Sequence, residues 1–249
     1  MQLEVFFTPH HVDELYLRGR KVVVIDVLRA STTIATALYN GAKEFIPVPT
    51  VEAAMKIVGD RSGEVTLLGG ERNGNMIEGF HLGNSPLEYT EERVKGRSIV
   101  FTSTNGSQAL AKARYAKEVL VCAFVNISAV VRELREARGD LTILCSGREG
   151  DFSMEDAVCA GMVLAKLLDT NTESITYGDA GAASLLLYKS QKRSLVGMLA
   201  KSEHGTYLKE IGYGNDVKFC AGIDTMPVVP ALTGNVLKLK SSEPITVPA

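Results

Sequence analysis

The chain has 249 residues, of which 45% are hydrophobic and 22% charged, and its formal net charge is −2. This size supports a full core in one large domain or two closely joined lobes. The near-neutral charge argues against nucleic acid or an anionic membrane as a partner. No apolar run approaches the ~20 residues of a membrane span, and the amino terminus lacks a signal peptide. The four cysteines lack C-x-x-C spacing, so we expect reduced thiols. Together, these features predict a soluble, cytoplasmic protein.

Predicted strands and helices alternate over the first two thirds of the chain. The central element is the run of β-branched residues at 22–25, which is typical of a strand buried on both faces. A polar turn and a helix at 34–39 follow it, with Ser31 or Thr32 as the N-cap. The other predicted strands are 3–7, 43–48, 64–68, 98–101, 119–124 and 141–144. The other predicted helices are 9–17, 51–58, 108–114, one ending at residue 137, and 154–168.

The last third of the chain changes character. Helices are predicted at 180–188, 195–199 and 205–211, a strand at 217–221 and an extended segment at 226–230. We therefore predict an α/β fold with layered α/β/α architecture and a largely parallel or mixed sheet. Residues 1–175 form its main part, and residues 176–249 form a closely packed C-terminal α/β lobe that is not independent.

Three polar turns that follow predicted strands are candidate anion-binding groups, because ligands bind beyond the carboxyl ends of strands in open α/β folds. Arg29 with Ser31 and Thr32 combines a planar donor with a helix N-terminus. In the other two turns, helix capping alone explains the residues equally well. The second turn contains Ser103, Thr104, Asn105 and Gly106, and the third contains Ser146 and Arg148.

Four carboxylates accompany these turns, namely Asp26, Glu71, Glu155 and Asp156. An unpaired charge directly after an apolar strand is costly, so Asp26 requires a metal or an arginine partner, and an ion pair with Arg29 is an open alternative. Glu71 lies on a glycine-rich turn that is either solvated or functional. For Asp156, a capping box with the serine three residues earlier explains the residue at least as well as metal binding. Carboxylate oxygens suit Mg²⁺, which acts best on phosphate.

The common phosphate and nucleophile motifs are absent. The chain has no Walker loop, no Rossmann glycine fingerprint and no nucleophile elbow. Cys145 lies only three residues before Arg148, which is too close for a cysteine phosphatase. Asp26 is followed two residues later by Leu28, so the second carboxylate of an aspartyl-phosphate phosphatase is missing.

Five stretches, at residues 24–33, 69–72, 83–86, 102–106 and 153–156, together resemble the 2-phosphosulfolactate phosphatase family. The resemblance covers nearly the whole chain. It implies a Mg²⁺-dependent hydrolase that converts 2-phosphosulfolactate to sulfolactate and phosphate in coenzyme M biosynthesis, with an α/β fold peculiar to that family. Such a substrate carries a phosphate, a sulfonate and a carboxylate. Arg29, Arg72 and Arg148, with the helix N-termini after Ser31 and Ser103, supply donors for these groups.

Our working hypothesis assigns catalysis to Asp26, Arg29 and Glu71. Mg²⁺ is held by some of Asp26, Glu71, Glu155 and Asp156, and together with Arg29 it neutralises the phosphate while a metal-bound water attacks phosphorus. One carboxylate accepts the proton of the water. Asp26 as a covalent nucleophile is the alternative mechanism.

Two other functional classes stay open for the same turns. One is a different enzyme, such as a lyase or isomerase of small phosphorylated or sulfonated acids, which an assay of phosphate release with and without EDTA would distinguish. The other is a binding module, which would bind tightly without turnover. His81 and His204 are lone histidines in loop-like segments, where surface or packing roles are more common than acid catalysis. A homo-oligomer stays open.

Overall fold

The computed structural model describes residues 1–60, 65–136, 139–169 and 174–240. Within these ranges eleven strands form one sheet. The predicted start of a strand at residue 64 and the predicted end of a helix at residue 137 lie outside the described residues. The strands are β1 (Gln2–Phe6), β2 (Lys21–Ile25), β3 (Glu44–Pro47), β4 (Thr66–Arg72), β5 (Asn75–Met76), β6 (Ser98–Thr102), β7 (Glu118–Cys122), β8 (Leu141–Cys145), β9 (Thr176–Tyr177), β10 (Pro230–Thr233) and β11 (Val236–Leu239).

The same residues contain eleven α-helices, and none of these is long and apolar enough to cross a membrane. Short 3₁₀ turns lie at Pro86–Glu88 and Phe124–Asn126. The helices are α1 (Glu14–Leu17), α2 (Ala30–Tyr39), α3 (Val51–Asp60), α4 (Glu91–Val94), α5 (Gly106–Ala113), α6 (Ile127–Arg135), α7 (Met154–Leu168), α8 (Asp179–Gln191), α9 (Leu195–Lys201), α10 (Glu203–Glu210) and α11 (Gly214–Cys220).

The sheet consists of two parallel groups joined by an antiparallel hairpin. Its strand order is β5-β4-β6-β3-β11-β10-β7-β2-β8-β1-β9. Strands β4, β6 and β3 are mutually parallel, as are β7, β2, β8, β1 and β9. The hairpin β10–β11 pairs antiparallel with β7 on one side and β3 on the other. These three antiparallel pairings reverse the direction, so the two groups run in opposite senses and the sheet is mixed.

Sheet twist is expected to change the relative direction of the two groups. Five strand pairs separate β2 from β6. At about 20–25° of rotation per pair, the expected twist between them is on the order of 100–125°. The directions of β2 and β6 are therefore expected to differ by well under 180°.

Helices cover both faces of the sheet, which confirms the predicted layered α/β/α class. In β2, Val23 and Ile25 pack into the core cluster formed with α6, α7, α9 and α11, while Val22 and Val24 pack on the other face with α2 and α5. This alternation places apolar residues on both faces of the strand. Helix α2 is buried over nine of its ten residues, which explains why its sequence has no charged face.

The predicted strand at 217–221 is wrong, because this segment belongs to helix α11. Its apolar residues also fit a helical spacing, and Asp216, Val217 and Cys220 are buried on one side of the helix. The predicted helix at 9–17 shortens to α1, which begins after Asp13, whose side chain accepts a hydrogen bond from the Leu15 N–H at 2.8 Å. Strands β9, β10 and β11 come from the last third of the chain, and the division at residue 175 stays a prediction.

Candidate active site

The turn after β2 is organised around the Asp26 carboxylate. The Ala30 N–H donates to Asp26 Oδ1 at 3.2 Å, so the carboxylate lies at the start of α2. The Asp26 N–H donates to Ser31 Oγ at 2.9 Å, and the Thr32 hydroxyl donates to the Val27 carbonyl at 2.9 Å. Ser31 and Thr32 lie inside the first helical turn, so the prediction that one of them is the N-cap is wrong. The helix begins earlier because Asp26 reaches forward to its first free N–H.

The turn after β6 approaches Asp26 at its glycine. A Cβ atom on Gly106 would lie 2.7 Å from Asp26 Oδ2 and 2.6 Å from Ala30 Cβ. A side chain at position 106 would therefore displace the carboxylate or α2. The turns after β2 and β6 are thus in close contact, and this contact depends on the glycine.

Glu71 connects the end of β4 to the turn after β6. The side chain is buried, and its Oε1 accepts the Thr104 N–H at 2.7 Å while its Oε2 accepts the Gly74 N–H at 2.8 Å. Each oxygen keeps a lone pair for another ligand. The alternative of a solvated loop position for Glu71 is excluded by this burial.

Arg29 is buried and is paired with a residue from the far end of the chain. Its Nη1 donates to Asp216 Oδ2 at 2.7 Å, its Nη2 donates to the Gly74 carbonyl, and its guanidinium carbon lies 4.2 Å from the centre of the Tyr213 ring. Asp216 Oδ1 accepts the Ser85 hydroxyl at 2.7 Å. The alternative Asp26–Arg29 ion pair is therefore not formed, and Arg29 is held rigidly in the wall of the site.

These side chains enclose a cavity of about 30 Å³. It brings together seven predicted site residues from four separate segments, which lie at or after the ends of β2, β4, β6 and β8. They are Asp26, Arg29, Glu71, Ser103, Thr104, Asn105 and Arg148. The cavity is also lined by Leu28, Asn73, Gly74, Asn84, Glu149, His204 and Tyr207. These turns therefore line one cavity, although β2 and β6 are not neighbours in the sheet.

His204 and Glu155 form a pair beside this cavity. Glu155 is buried in the first turn of α7, and its Oε1 lies 3.5 Å from His204 Nδ1 at the start of α10. Burial alone would raise the pKa of Glu155, but the hydrogen bond and charge of His204 lower it below its ordinary value. No described residue forms a hydrogen bond with His204 Nε2. The pair thus presents one ring nitrogen to a carboxylate and leaves the other free.

The burial of Asp26 determines its acidity. Loss of solvent raises the pKa of this carboxyl from 3.8 to about 6, against the lowering effects of the His204 charge and of hydrogen bonds from Ala30 and Ser146. Burial likewise raises the pKa of Asp156 well above its ordinary value, and the neighbouring Asp26 and Glu155 charges add to this effect. A carboxyl with a pKa near 6 is suited to accept and release a proton near neutral pH.

Comparisons with known proteins agree with this geometry. The family model of 2-phosphosulpholactate phosphatase matches residues 6–235. The chain belongs to the 2-phosphosulfolactate phosphatase family. A relative named probable 2-phosphosulfolactate phosphatase from Caldanaerobacter subterraneus subsp. tengcongensis is 42% identical over 96% of this chain and 98% of its own length. Relatives of the same name from Symbiobacterium thermophilum and Thermotoga maritima are 43% and 40% identical, covering 90% and 89% of this chain and 96% and 92% of their own.

Family membership confirms the resemblance inferred from the motifs and the predicted enzyme class, a phosphoric monoester hydrolase. A phosphate monoester is a small anion, so family membership fits the anion-binding role predicted for the polar turns. Only some of the predicted site residues reach the cavity.

Several predicted site residues of this family member serve the framework instead. Arg72 donates to the Glu71 carbonyl at 2.7 Å and to Thr102 Oγ1 at 3.0 Å, and it does not line the cavity. Ser146 donates to Asp156 Oδ2 at 3.1 Å. The side chains of Ser31 and Thr32 are turned to the backbone, as described above. These residues hold the turns together rather than face the cavity.

The predicted metal ligands are divided between two places. Asp156 accepts the Val27 N–H at 2.9 Å on Oδ1 and the Gly147 N–H at 3.2 Å and the Ser146 hydroxyl on Oδ2, and it does not line the cavity. Glu155 is paired with His204. Among the described residues, no three His, Cys, Asp or Glu side chains gather as a metal-binding group. The four carboxylates are not brought together as one set.

The cavity nevertheless offers oxygen donors that fit Mg²⁺. Asp26 and Glu71 both line it, and so do Asn84 and Thr104. Asn84 Oδ1 and Thr104 Oγ1 are buried with no hydrogen-bond partner among the described residues. Buried orphan oxygens are costly unless a ligand satisfies them. Two carboxylates with an amide oxygen form a hard donor set of the kind that Mg²⁺ prefers.

Sequence reasoning considered His204 but favoured a surface or packing role for it, and it missed Asn84 and Asp216 as site residues. The helical start at Ser202, whose hydroxyl accepts the Gly205 N–H at 3.1 Å, was the available indication that His204 lies in an ordered first turn. Asn84 lies within one of the family stretches but carries no local pattern of its own. For Asp216, the mistaken strand at 217–221 concealed its place on α11.

Proposed function

We propose that this chain is a Mg²⁺-dependent phosphatase that hydrolyses 2-phosphosulfolactate to sulfolactate and phosphate, the reaction that serves coenzyme M biosynthesis. The observation that carries the proposal is the cavity shared by Asp26, Glu71 and the orphaned Asn84 oxygen. The family and its relatives' names support the substrate. Four buried, unpaired cysteines suit a reducing compartment, so we place the enzyme in the cytoplasm.

Asp26, Glu71 and Asn84 are the residues that would hold the metal. When bound, Mg²⁺ supplies positive charge to the phosphoryl oxygens and acidifies a bound water. Glu71 is already fixed by two backbone N–H groups, which orients its remaining lone pairs without further ordering. Arg148, which lines the same cavity, supplies a positive charge for the substrate.

Asp26 accepts the proton of the attacking water in this mechanism. Its close approach to Gly106 fixes the orientation of Oδ2. The alternative is attack by Asp26 itself to form an aspartyl phosphate. Quenching a reaction with borohydride separates the two, because an acyl phosphate at position 26 is reduced to homoserine, which mass spectrometry detects. Homoserine at position 26 would contradict the role of a base.

His204 donates a proton to the leaving oxygen. Glu155 holds Nδ1, so Nε2 carries the exchangeable proton. As the P–O bond breaks, its electron pair goes to the oxygen of the product alcohol, which takes the proton from His204. The proton that Asp26 gained is returned through solvent, so both groups are restored after each turnover.

The test is phosphate release from 2-phosphosulfolactate with EDTA and after restoring Mg²⁺. We expect loss of activity in EDTA and recovery with the metal. Asp26→Asn and Glu71→Gln should each lower turnover by orders of magnitude with the fold intact, while Glu78→Gln, an exposed carboxylate of the same segment, should not. Near-normal turnover in both site variants would remove the proposal. A panel of other phosphorylated acids tests whether a different small acid is the better substrate.

Metal binding has a readout that does not need turnover. A ligand that binds the folded state raises its melting temperature by mass action. Mg²⁺ should therefore stabilise the wild type and Glu78→Gln but not Glu71→Gln. Equal stabilisation of all three by Mg²⁺ would show that the metal binds elsewhere.

A further inference from the structure

A second, much larger cavity adjoins the catalytic one. It has a volume of about 530 Å³, and Arg148 and His204 line both cavities. The larger cavity lies between the start of α7, the end of α8 and helices α9 and α10. Its lining includes Phe152, Met154, Gln191, Ser194, Met198 and Lys201.

The sizes of the two cavities indicate that two parts of the substrate bind in different cavities. The catalytic cavity, of about 30 Å³, is far smaller than the adjoining cavity of about 530 Å³. The larger cavity therefore has more room for the carbon chain of a substrate with its sulfonate and carboxylate. With its phosphoryl group at Asp26, the substrate would extend past Arg148 and His204 into this space.

The larger cavity has positive charge that is available to a ligand. Lys201, in the last turn of α9, forms no hydrogen bond or ion pair with any described residue. Arg148 Nη1 donates to Glu203 Oε1 at 2.7 Å, but the Glu203 side chain is 91% exposed. An ion pair with so exposed a partner is weak, so an arriving anion replaces Glu203 at little cost.

We propose that this cavity binds the leaving-group half of the substrate, and that Lys201 and Arg148 bind its sulfonate and carboxylate. The inference rests on the proposed phosphatase function and assigns Lys201 as a specificity-determining residue outside the catalytic cavity. Phe152, Met154 and Met198 supply an apolar surface for the carbon chain beside these charges.

The test is direct titration of sulfolactate and of inorganic phosphate by calorimetry, which does not depend on turnover. Lys201→Met should weaken sulfolactate binding by about fivefold, as expected for one partly exposed charge-assisted contact. Lys201→Glu should weaken it further. Phosphate affinity should stay the same in both. Lys209→Met, an exposed lysine outside both cavities, is the matched control.

The kinetic counterpart is a raised KM for 2-phosphosulfolactate in Lys201→Met with kcat nearly unchanged. Unchanged sulfolactate affinity in both Lys201 variants would overturn the inference, and so would an equal loss of phosphate affinity, which would indicate a diffuse charge effect. If wild-type enzyme releases no phosphate from 2-phosphosulfolactate, the proposed function fails, while the calorimetric comparison still decides the role of Lys201.

Discussion

Asp26→Asn should abolish turnover and at the same time stabilise the protein at neutral pH. The wild-type carboxyl has a folded-state pKa of about 6 against an ordinary value of 3.8, chiefly because it is buried. A raised carboxyl pKa means that the folded state disfavours the ionised form. The contribution of this group to stability is thus intact below pH 3.8 and declines as the pH rises to about 6. Asparagine has nearly the same shape but no charge, so the variant avoids this loss.

The size of the effect follows from the pKa difference. The rise from 3.8 to about 6 amounts to about 3 kcal/mol in free energy of unfolding once the group is fully ionised, at 1.36 kcal/mol per pKa unit. An unfolding entropy of about 0.5 kcal/mol/K for a chain of this length converts it to about 6 °C in Tm. At pH 4 most of the penalty is absent, and the same calculation leaves less than about 1 kcal/mol.

The measurement is a pair of thermal unfolding curves for wild type and Asp26→Asn in EDTA, at pH 4 and pH 8. EDTA is needed because a bound cation would favour the ionised carboxyl. We expect the variant to melt higher at pH 8, with the two proteins nearly equal at pH 4. The Ala30 N–H keeps its acceptor in the variant, so no hydrogen bond is lost at the start of α2. A variant that melts lower at pH 8, or a gap independent of pH, would refute the reasoning.

Three further predictions concern other contacts of the site. Gly106→Ala should lower kcat by at least tenfold, because the new Cβ would lie 2.7 Å from Asp26 Oδ2. A normal kcat in steady-state kinetics would contradict this prediction. Asp216→Ala should destabilise the protein by about 3–5 kcal/mol in urea unfolding, because it leaves Arg29 buried without its partner, whereas a loss below about 1 kcal/mol would show that the pair is solvated. His204→Gln should lower kcat by about 10²–10⁴-fold, and an unchanged kcat would exclude the role of acid.

The parts of the fold that the sequence predicts are those with local patterns. The run at 22–25 is apolar on every residue because β2 is covered on both faces, and this pattern is visible without any tertiary information. The polar turns after β2, β4 and β6 follow strands directly, which identified them as candidate sites. Their convergence was not predictable, because β2 runs opposite to β4 and β6 in the mixed sheet. Ser153 caps α7 through the Asp156 N–H, as the capping alternative anticipated.

The parts that the sequence does not predict depend on distant partners. Arg29 and Asp216 are 187 residues apart, and each looks locally like a surface or ligand-binding charge. His204 acquires its role only when α10 lies against Glu155 at the start of α7. The hairpin β10–β11 consists of two four-residue strands with little periodicity, and nothing local indicates that they enter the middle of the sheet.

The position of that hairpin has a consequence for synthesis and turnover of the protein in the cell. It comes from the final part of the chain, yet Ala231 pairs with Leu120 and Leu237 pairs with Phe45. Until residues 230–239 have left the ribosome, β7 and β3 each keep an open edge, and open edges readily pair with other chains. Premature termination upstream of residue 230 should therefore yield aggregates that are degraded, rather than a shorter enzyme with reduced activity.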